Sequence, residues 1–117
     1  MRTYVITGGT TGIGACVKQQ LEQQGHRVYN VDYKGGDFCA DLSQKEGRQA
    51  ALEAIHKEFP EGLDGIICNA GVGPVRPAEM IIALNFFASV EMAEGVRDLL
   101  IKKGGCCVVT SSNSITN

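Results

Sequence analysis

The chain predicts an α/β fold: a doubly wound parallel sheet of about five strands, in one domain spanning residues 1–117. Three observations carry this reading. Short apolar runs alternate with helical patterns along the whole length, which calls for parallel strands joined by helical crossovers. A glycine-rich turn, Thr7-Gly8-Gly9-Thr10-Thr11-Gly12-Ile13-Gly14, lies between the first apolar run and the first helical pattern. A length of 117 residues suits one modest core and is too short for two.

The elements follow in order. Residues 2–7 and 27–32 read as strands around Tyr4-Val5-Ile6 and Val28–Val31. The helix between them runs from about Gly12 to Gln24, with Ile13, Val17 and Leu21 on one stripe and Gly25 as its stop. Tyr33-Lys34-Gly35-Gly36 is a turn, and Phe38-Cys39-Ala40 is a short apolar piece. Parallel neighbours normally need a crossover of about a dozen residues, so this piece is expected as a short edge strand. Ser43 with Glu46 makes a capping box for a helix ending near Phe59, before Pro60. Leu63–Cys68 is a buried strand. One long helix from about Pro77 to Lys103 follows, with Lys102 and Lys103 at its negative end and Gly104-Gly105 stopping it. Cys106–Thr110 is the last strand.

Bulk properties exclude several classes. A net charge of −2 with no basic patch argues against nucleic acid. No apolar run reaches the roughly 20 residues of a membrane span, and Met1-Arg2-Thr3-Tyr4 leads straight into a strand, so a cytoplasmic protein is expected. The five cysteines contain no C-x-x-C pair and mostly sit in apolar runs, which reads as reduced core thiols. No metal-ligand spacing occurs, and His26 and His56 lie in polar surface contexts.

The glycine turn has specific chemistry. Gly8 turns the chain sharply, Gly12 clears space for a phosphate against the backbone, and Gly14 lets helix and strand pack closely. The helix N-terminus offers N–H groups and a positive dipole end to a pyrophosphate. Asp32 ends the second strand, 18 residues past Gly14, where a carboxylate accepts from a ribose 2′-hydroxyl. It would repel a 2′-phosphate. The turn carries Thr10 and Thr11 rather than a basic residue, so NAD is favoured over NADP, with Lys34 the one nearby cation. Further polar residues follow the other strands: Asp41-Leu42, Asn69-Ala70-Gly71 and Ser111-Ser112, with Asn85 inside the long helix.

Taken in order, these residues resemble the short-chain dehydrogenases/reductases, whose pattern is T-G-x-x-x-G-x-G, an acidic residue, D-[LV], N-A-G, a helix Asn and a Ser. The resemblance implies a Rossmann-type sheet, here truncated before its last strands. It implies a small-molecule alcohol or ketone substrate and a homo-oligomer formed through the long helix or the fifth strand. By it, Gly8, Gly12 and Gly14 would line the pyrophosphate, Thr11 of the same turn would bind the cofactor, and Ile13 would sit under the nicotinamide half. Asp41 and Leu42 would border the adenine, and Asn69, Ala70 and Gly71 would hold the sheet and flank the ribose. Asn85 would anchor a water leading to the catalytic Lys, and Ser112, or Ser111 one residue earlier, would bond the substrate oxygen. Softer marks, among them Gly25-His26, Glu46-Gly47-Arg48 and Gly73-Pro74, resemble the bacterial hydroxysteroid dehydrogenase and carbonyl reductase branch.

Plainer roles remain open for some residues. Asp32 can simply start a polar turn, Asp41 can be a turn residue before the Ser43 cap, Asn85 an exposed helix Asn, and the serines a polar loop. The family's Tyr-x-x-x-Lys has no counterpart, since Gly8, Tyr33 and Asp37 stand four positions after the three tyrosines. The expected activity is hydride transfer, with this chain supplying the cofactor half. The alternative is a non-catalytic dinucleotide-binding or regulatory domain. A methyltransferase fits the Asn-Ala-Gly and the serine poorly, and the absence of G-K-[ST] excludes a P-loop NTPase.

Overall fold

The computed structural model describes residues 1–10, 12–70 and 86–109. Its strands are β1 (Thr3–Thr7), β2 (Arg27–Asp32), β3 (Phe38–Cys39), β4 (Gly65–Cys68) and β5 (Cys106–Val109). All pair in parallel, in the order β3-β2-β1-β4-β5. The order reverses at β1, so β1 and β4 flank the point where open α/β sheets take their ligands. Helices α1 (Gly12–Gln23), α2 (Lys45–Glu58), α3 (Ala88–Gly95) and α4 (Arg97–Lys103) complete the described elements.

Strand alternation divides the sheet between two layers. Val5, Val31, Ile66 and Cys68 join Ile55, Met92, Val96 and Leu99 in the main core, beneath α2, α3 and α4. Ile6 and Val28 are as deeply buried but stand outside that cluster, on the face where α1 packs against β1 and β2. The α1 stripe is weaker than its periodicity implies. Val17 and Leu21 are half-buried, whereas Ile13 is 68% exposed.

The short edge strand forms as expected. Residues 33–37 suffice to join β2 to β3 because Gly35 (φ +86°) and Gly36 (φ +82°) fold the chain back along β2. Asp37 then clamps Asn30: its N–H donates to the Asn30 carbonyl at 2.9 Å and its Oδ2 accepts from the Asn30 N–H at 2.7 Å.

Three expectations are corrected. The single helix over 77–103 is interrupted within its described part at Val96, which leaves helical geometry (φ −107°, ψ 9°). Gly95 beside it lets Leu52 of α2 approach, since an added Cβ would stand 2.5 Å from Leu52 Cδ2. Residues 77–85 lie outside the described residues. Ser43 does not cap α2: the N-cap is Gln44, with no side-chain bond, and the Ser43 hydroxyl donates to Asp41 instead. Four of the five cysteines are exposed, because Cys39, Cys106 and Cys107 ride edge strands and Cys16 the outer side of α1. Only Cys68 is a core thiol, and burial pushes its pKa up to about 12.

His56 ties α2 to α4, with Nδ1 2.8 Å from the Leu52 carbonyl and Nε2 3.0 Å from Asp98 Oδ1. Both partners are acceptors, so the doubly protonated ring satisfies both. Burial alone would lower the His56 pKa, but these bonds outweigh it and raise it above 6.5, while His56 holds Asp98 below its ordinary value. The His56 contribution is therefore full below about 6.5 and lost as pH rises through the higher folded value. That of Asp98 is lost as pH falls through its lowered value. His56→Gln should lower the melting temperature more at about pH 5.5 than at about pH 8, and equal losses at both would contradict the pairing.

Candidate dinucleotide site

The carboxyl ends of β1, β2 and β4 meet in one hydrogen-bonded unit. Thr7 ends β1 with its side chain buried, and its Oγ1 accepts from the N–H groups of Asn69 and Ala70, each at 3.0 Å. One hydroxyl thus fastens β1 to the segment after β4. Gly8 follows at φ +73°, where its N–H donates to the Val31 carbonyl at 2.9 Å and its carbonyl accepts from Asn69 Nδ2 at 3.2 Å. An added Cβ on Gly8 would stand 2.9 Å from Ala70 Cα.

The turn continues toward β2. The Gly9 N–H donates to Asn30 Oδ1 at 2.8 Å, Asn30 Nδ2 donates to Thr10 Oγ1 at 3.1 Å, and the Thr10 N–H donates to Asp32 Oδ2 at 3.2 Å. Asp32 Oδ1 accepts from the Tyr33 N–H at 2.8 Å. Gly12 opens α1 at φ +62° with nothing within 4 Å of where its Cβ would be. At Gly14 a Cβ would stand 2.1 Å from the Gly8 carbonyl oxygen and 2.6 Å from Asn69 Nδ2, so α1 touches the turn there.

This geometry divides the work among the backbone amides. Those of Gly8, Gly9 and Thr10 are committed to β2. The first-turn amides of α1 have no carbonyl four residues before them within the helix and carry the positive end of the helix dipole, so an anion approaching the turn meets that end. A groove of about 390 Å³ borders Gly9 and Thr10, and among its described lining residues the one cation, Lys18, is held by Glu22 at 3.1 Å.

Asp41 and Leu42 follow β3 one strand farther out. Asp41 is exposed, and its Oδ1 accepts from the N–H (3.0 Å) and hydroxyl (2.6 Å) of Ser43. Leu42 is buried in the core, and its carbonyl accepts from Arg48 at 3.1 Å. Arg48, itself buried, reaches Glu91 of α3 at 2.9 Å. Gly47 presses on this segment, since its Cβ would stand 1.9 Å from the Asp41 carbonyl oxygen.

The structure therefore brings together Gly8, Gly12, Gly14, Asp32, Asn69 and Ala70, with Ile13 exposed on the first turn of α1 and Asp41 and Leu42 at the neighbouring strand end. Thr11, Gly71, Asn85 and both Ser111 and Ser112 lie outside the described residues. Sequence reasoning missed Thr7, Asn30 and Arg48 as organisers. Asn30 stands out in sequence only as a polar residue between Tyr29 and Val31, and its bonding partners do not show there.

Comparison with known proteins agrees with this unit. The family model for short chain dehydrogenases matches residues 37–117. A 3-alpha-hydroxysteroid dehydrogenase/carbonyl reductase from Comamonas testosteroni is 34% identical over 105 residues, covering 89% of this chain and 40% of that protein. The crystal structure of a 3-alpha-hydroxysteroid dehydrogenase from Pseudomonas sp. B-0831, complexed with NADH, superposes with a TM-score of 0.93 at 32% identity, over 98% of this chain and 46% of that one. An alcohol dehydrogenase from the archaeon Thermococcus sibiricus, complexed with 5-hydroxy-NADP, shares the fold at a TM-score of 0.82 and 22% identity, over 97% of this chain and 57% of that one. The chain thus spans less than half the length of the two hydroxysteroid relatives. Its glycine turn, its strand order and a family match across most of its length lead to one conclusion: this chain belongs to the short-chain dehydrogenase family.

Proposed function

We propose that this chain supplies the cofactor-binding half of an NAD-dependent oxidoreductase, which moves hydride between nicotinamide and a secondary alcohol or ketone, with hydroxysteroids as the favoured class. The observation that carries the reading is Asp32, a half-buried carboxylate at the end of β2, hydrogen-bonded to the glycine turn beside it. Each oxygen already accepts one N–H and keeps capacity for a ribose hydroxyl. A 2′-phosphate there would meet like charge.

In this reading Gly8, Thr11, Gly12 and Gly14 receive the pyrophosphate, and Ile13 lies under the nicotinamide half. Asp41 accepts from the adenine amino group beside Leu42, and Asn69, Ala70 and Gly71 flank the ribose. NAD, when bound, supplies the hydride acceptor, and NADH the donor. Ser112 bonds the substrate oxygen and stabilises charge developing on it, and Asn85 anchors a water for proton passage. No Tyr-x-x-x-Lys occurs in these 117 residues, so hydride transfer is not expected from them alone. Among the described residues no helix is long and apolar enough to cross a membrane, and a cytoplasmic homo-oligomer joined through α3–α4 or β5 completes the proposal.

Calorimetric titration with both nucleotides tests it. The protein should bind NAD at least about tenfold more tightly than NADP, and Asp32→Ala should erase the preference. Tighter NADP binding by the unmutated protein would overturn the assignment. Sedimentation of the same samples should show dimers or larger species, and a clean monomer would refute the association.

A further inference from the structure

We infer that Asn30 is a positioning residue of the cofactor site: its carboxamide fixes the glycine turn and, through Thr10, holds the Asp32 carboxylate where a ribose is read. The inference rests on the dinucleotide reading above. Asn30 is only 2% exposed, on the face of β2 that α1 covers. A polar side chain at that depth is costly unless both ends of its amide are bonded. Both are. Oδ1 accepts from the Gly9 N–H, and Nδ2 donates to Thr10 Oγ1. The amide orientation follows from the partners, because a backbone N–H can only donate.

Gly9 fits this role. An added Cβ would stand 2.7 Å from Asn30 Oδ1 and 2.8 Å from Ile6 Cγ2, so only a residue without a side chain lets its N–H reach the amide. The backbone of Asn30 is held on the other side by Asp37, and an added Cβ on Gly36 would stand 2.9 Å from the Asn30 carbonyl oxygen. The amide is thus pinned from both flanks. Thr10 relays the constraint: its hydroxyl is held by Asn30 while its N–H holds Asp32 Oδ2. Without the amide, Gly9 loses its acceptor, Thr10 loses its side-chain anchor, and the Asp32 carboxylate loses a fixed partner. Both the pyrophosphate turn and the discrimination at the ribose then loosen together.

The test measures melting temperature and the affinities for NAD and NADP in the unmutated protein, Asn30→Val and Thr10→Val. Asn30→Val should weaken NAD binding by about tenfold or more and NADP binding by less, so that the preference contracts. Thr10→Val removes the acceptor of Asn30 Nδ2 but leaves the Asn30–Gly9 bond in place, so it should lower the melting temperature less than Asn30→Val does and still contract the preference. It decides the matter if Asn30→Val does not fold. A lower melting temperature with unchanged affinities and an unchanged preference would make Asn30 structural only and overturn the inference. If the unmutated protein binds NAD and neither variant changes the preference, only the Asn30 role falls. If it binds neither nucleotide, the dinucleotide reading falls and takes this role with it.

Discussion

Replacing Gly14 with Ala should destabilise the protein by about 3 kcal/mol, a loss of roughly 10 °C or more in melting temperature for a domain of this size. The added methyl would stand 2.1 Å from the Gly8 carbonyl oxygen and 2.6 Å from Asn69 Nδ2. The first of these is backbone in a turn stitched to β2, so it cannot swing aside as a side-chain end does. Helix propensity runs the other way and returns about 1 kcal/mol to Ala, which the clash exceeds. Gly12→Ala is the control, because open space surrounds that position and only its φ of +62° opposes a side chain, at about 1 kcal/mol. Thermal melts of both variants decide it. Equal losses, or no loss at Gly14, would show that α1 does not seat against the turn as described.

Thr7→Val should cost about 2–4 kcal/mol although it preserves shape and adds apolar surface. The lost Oγ1 is the acceptor for two consecutive amides, Asn69 and Ala70, at the end of β4. Each is half-buried, and the valine methyl that replaces the hydroxyl offers neither a partner. Thr7→Ser keeps the oxygen and drops a methyl, a loss of about 1 kcal/mol. Denaturant melts should therefore rank Thr above Ser and Ser above Val, the reverse of a hydrophobic ordering. A Val variant as stable as the Ser variant would mean that the hydroxyl does not hold the two strands together.

Much of the fold was legible in the sequence because its signals are local. The glycine turn, Asp32 at a strand end, Gly25 and Gly104 as helix stops and the brief Phe38–Cys39 strand all follow from residue type and spacing, and all appear. What escaped depends on neighbours distant in sequence. The helix expected over 77–103 divides at Val96, where Gly95 is pressed by Leu52 of another helix. Ser43 matched a capping pattern, yet the Asp41 carboxylate lies nearer to its hydroxyl than any helix amide it was meant to serve, and Gly47 packs against that turn. Cysteines in apolar runs looked buried because a sequence does not show which strands become edges.

The candidate site divides in the same way. Gly8, Gly12, Gly14, Asp32, Asn69 and Ala70 were readable as a motif, and the structure gathers them at one strand edge. The residues that make the motif rigid, Thr7 and Asn30, were not readable. Their partners stand 62 and 21 positions away, and nothing in a one-dimensional pattern distinguishes a buried Asn with two bonds from an ordinary strand Asn.

The most direct test that the glycine turn receives the dinucleotide is amide NMR of the protein during titration with NAD. The Thr10, Gly12, Ile13, Gly14 and Asp32 amides should shift in proportion to saturation, while those of His56, Asp98 and Lys103, which lie on α2 and α4, should stay in place. Saturable shifts at α2 or α4 with none at the turn, or no shifts at any nucleotide concentration, would contradict the assignment.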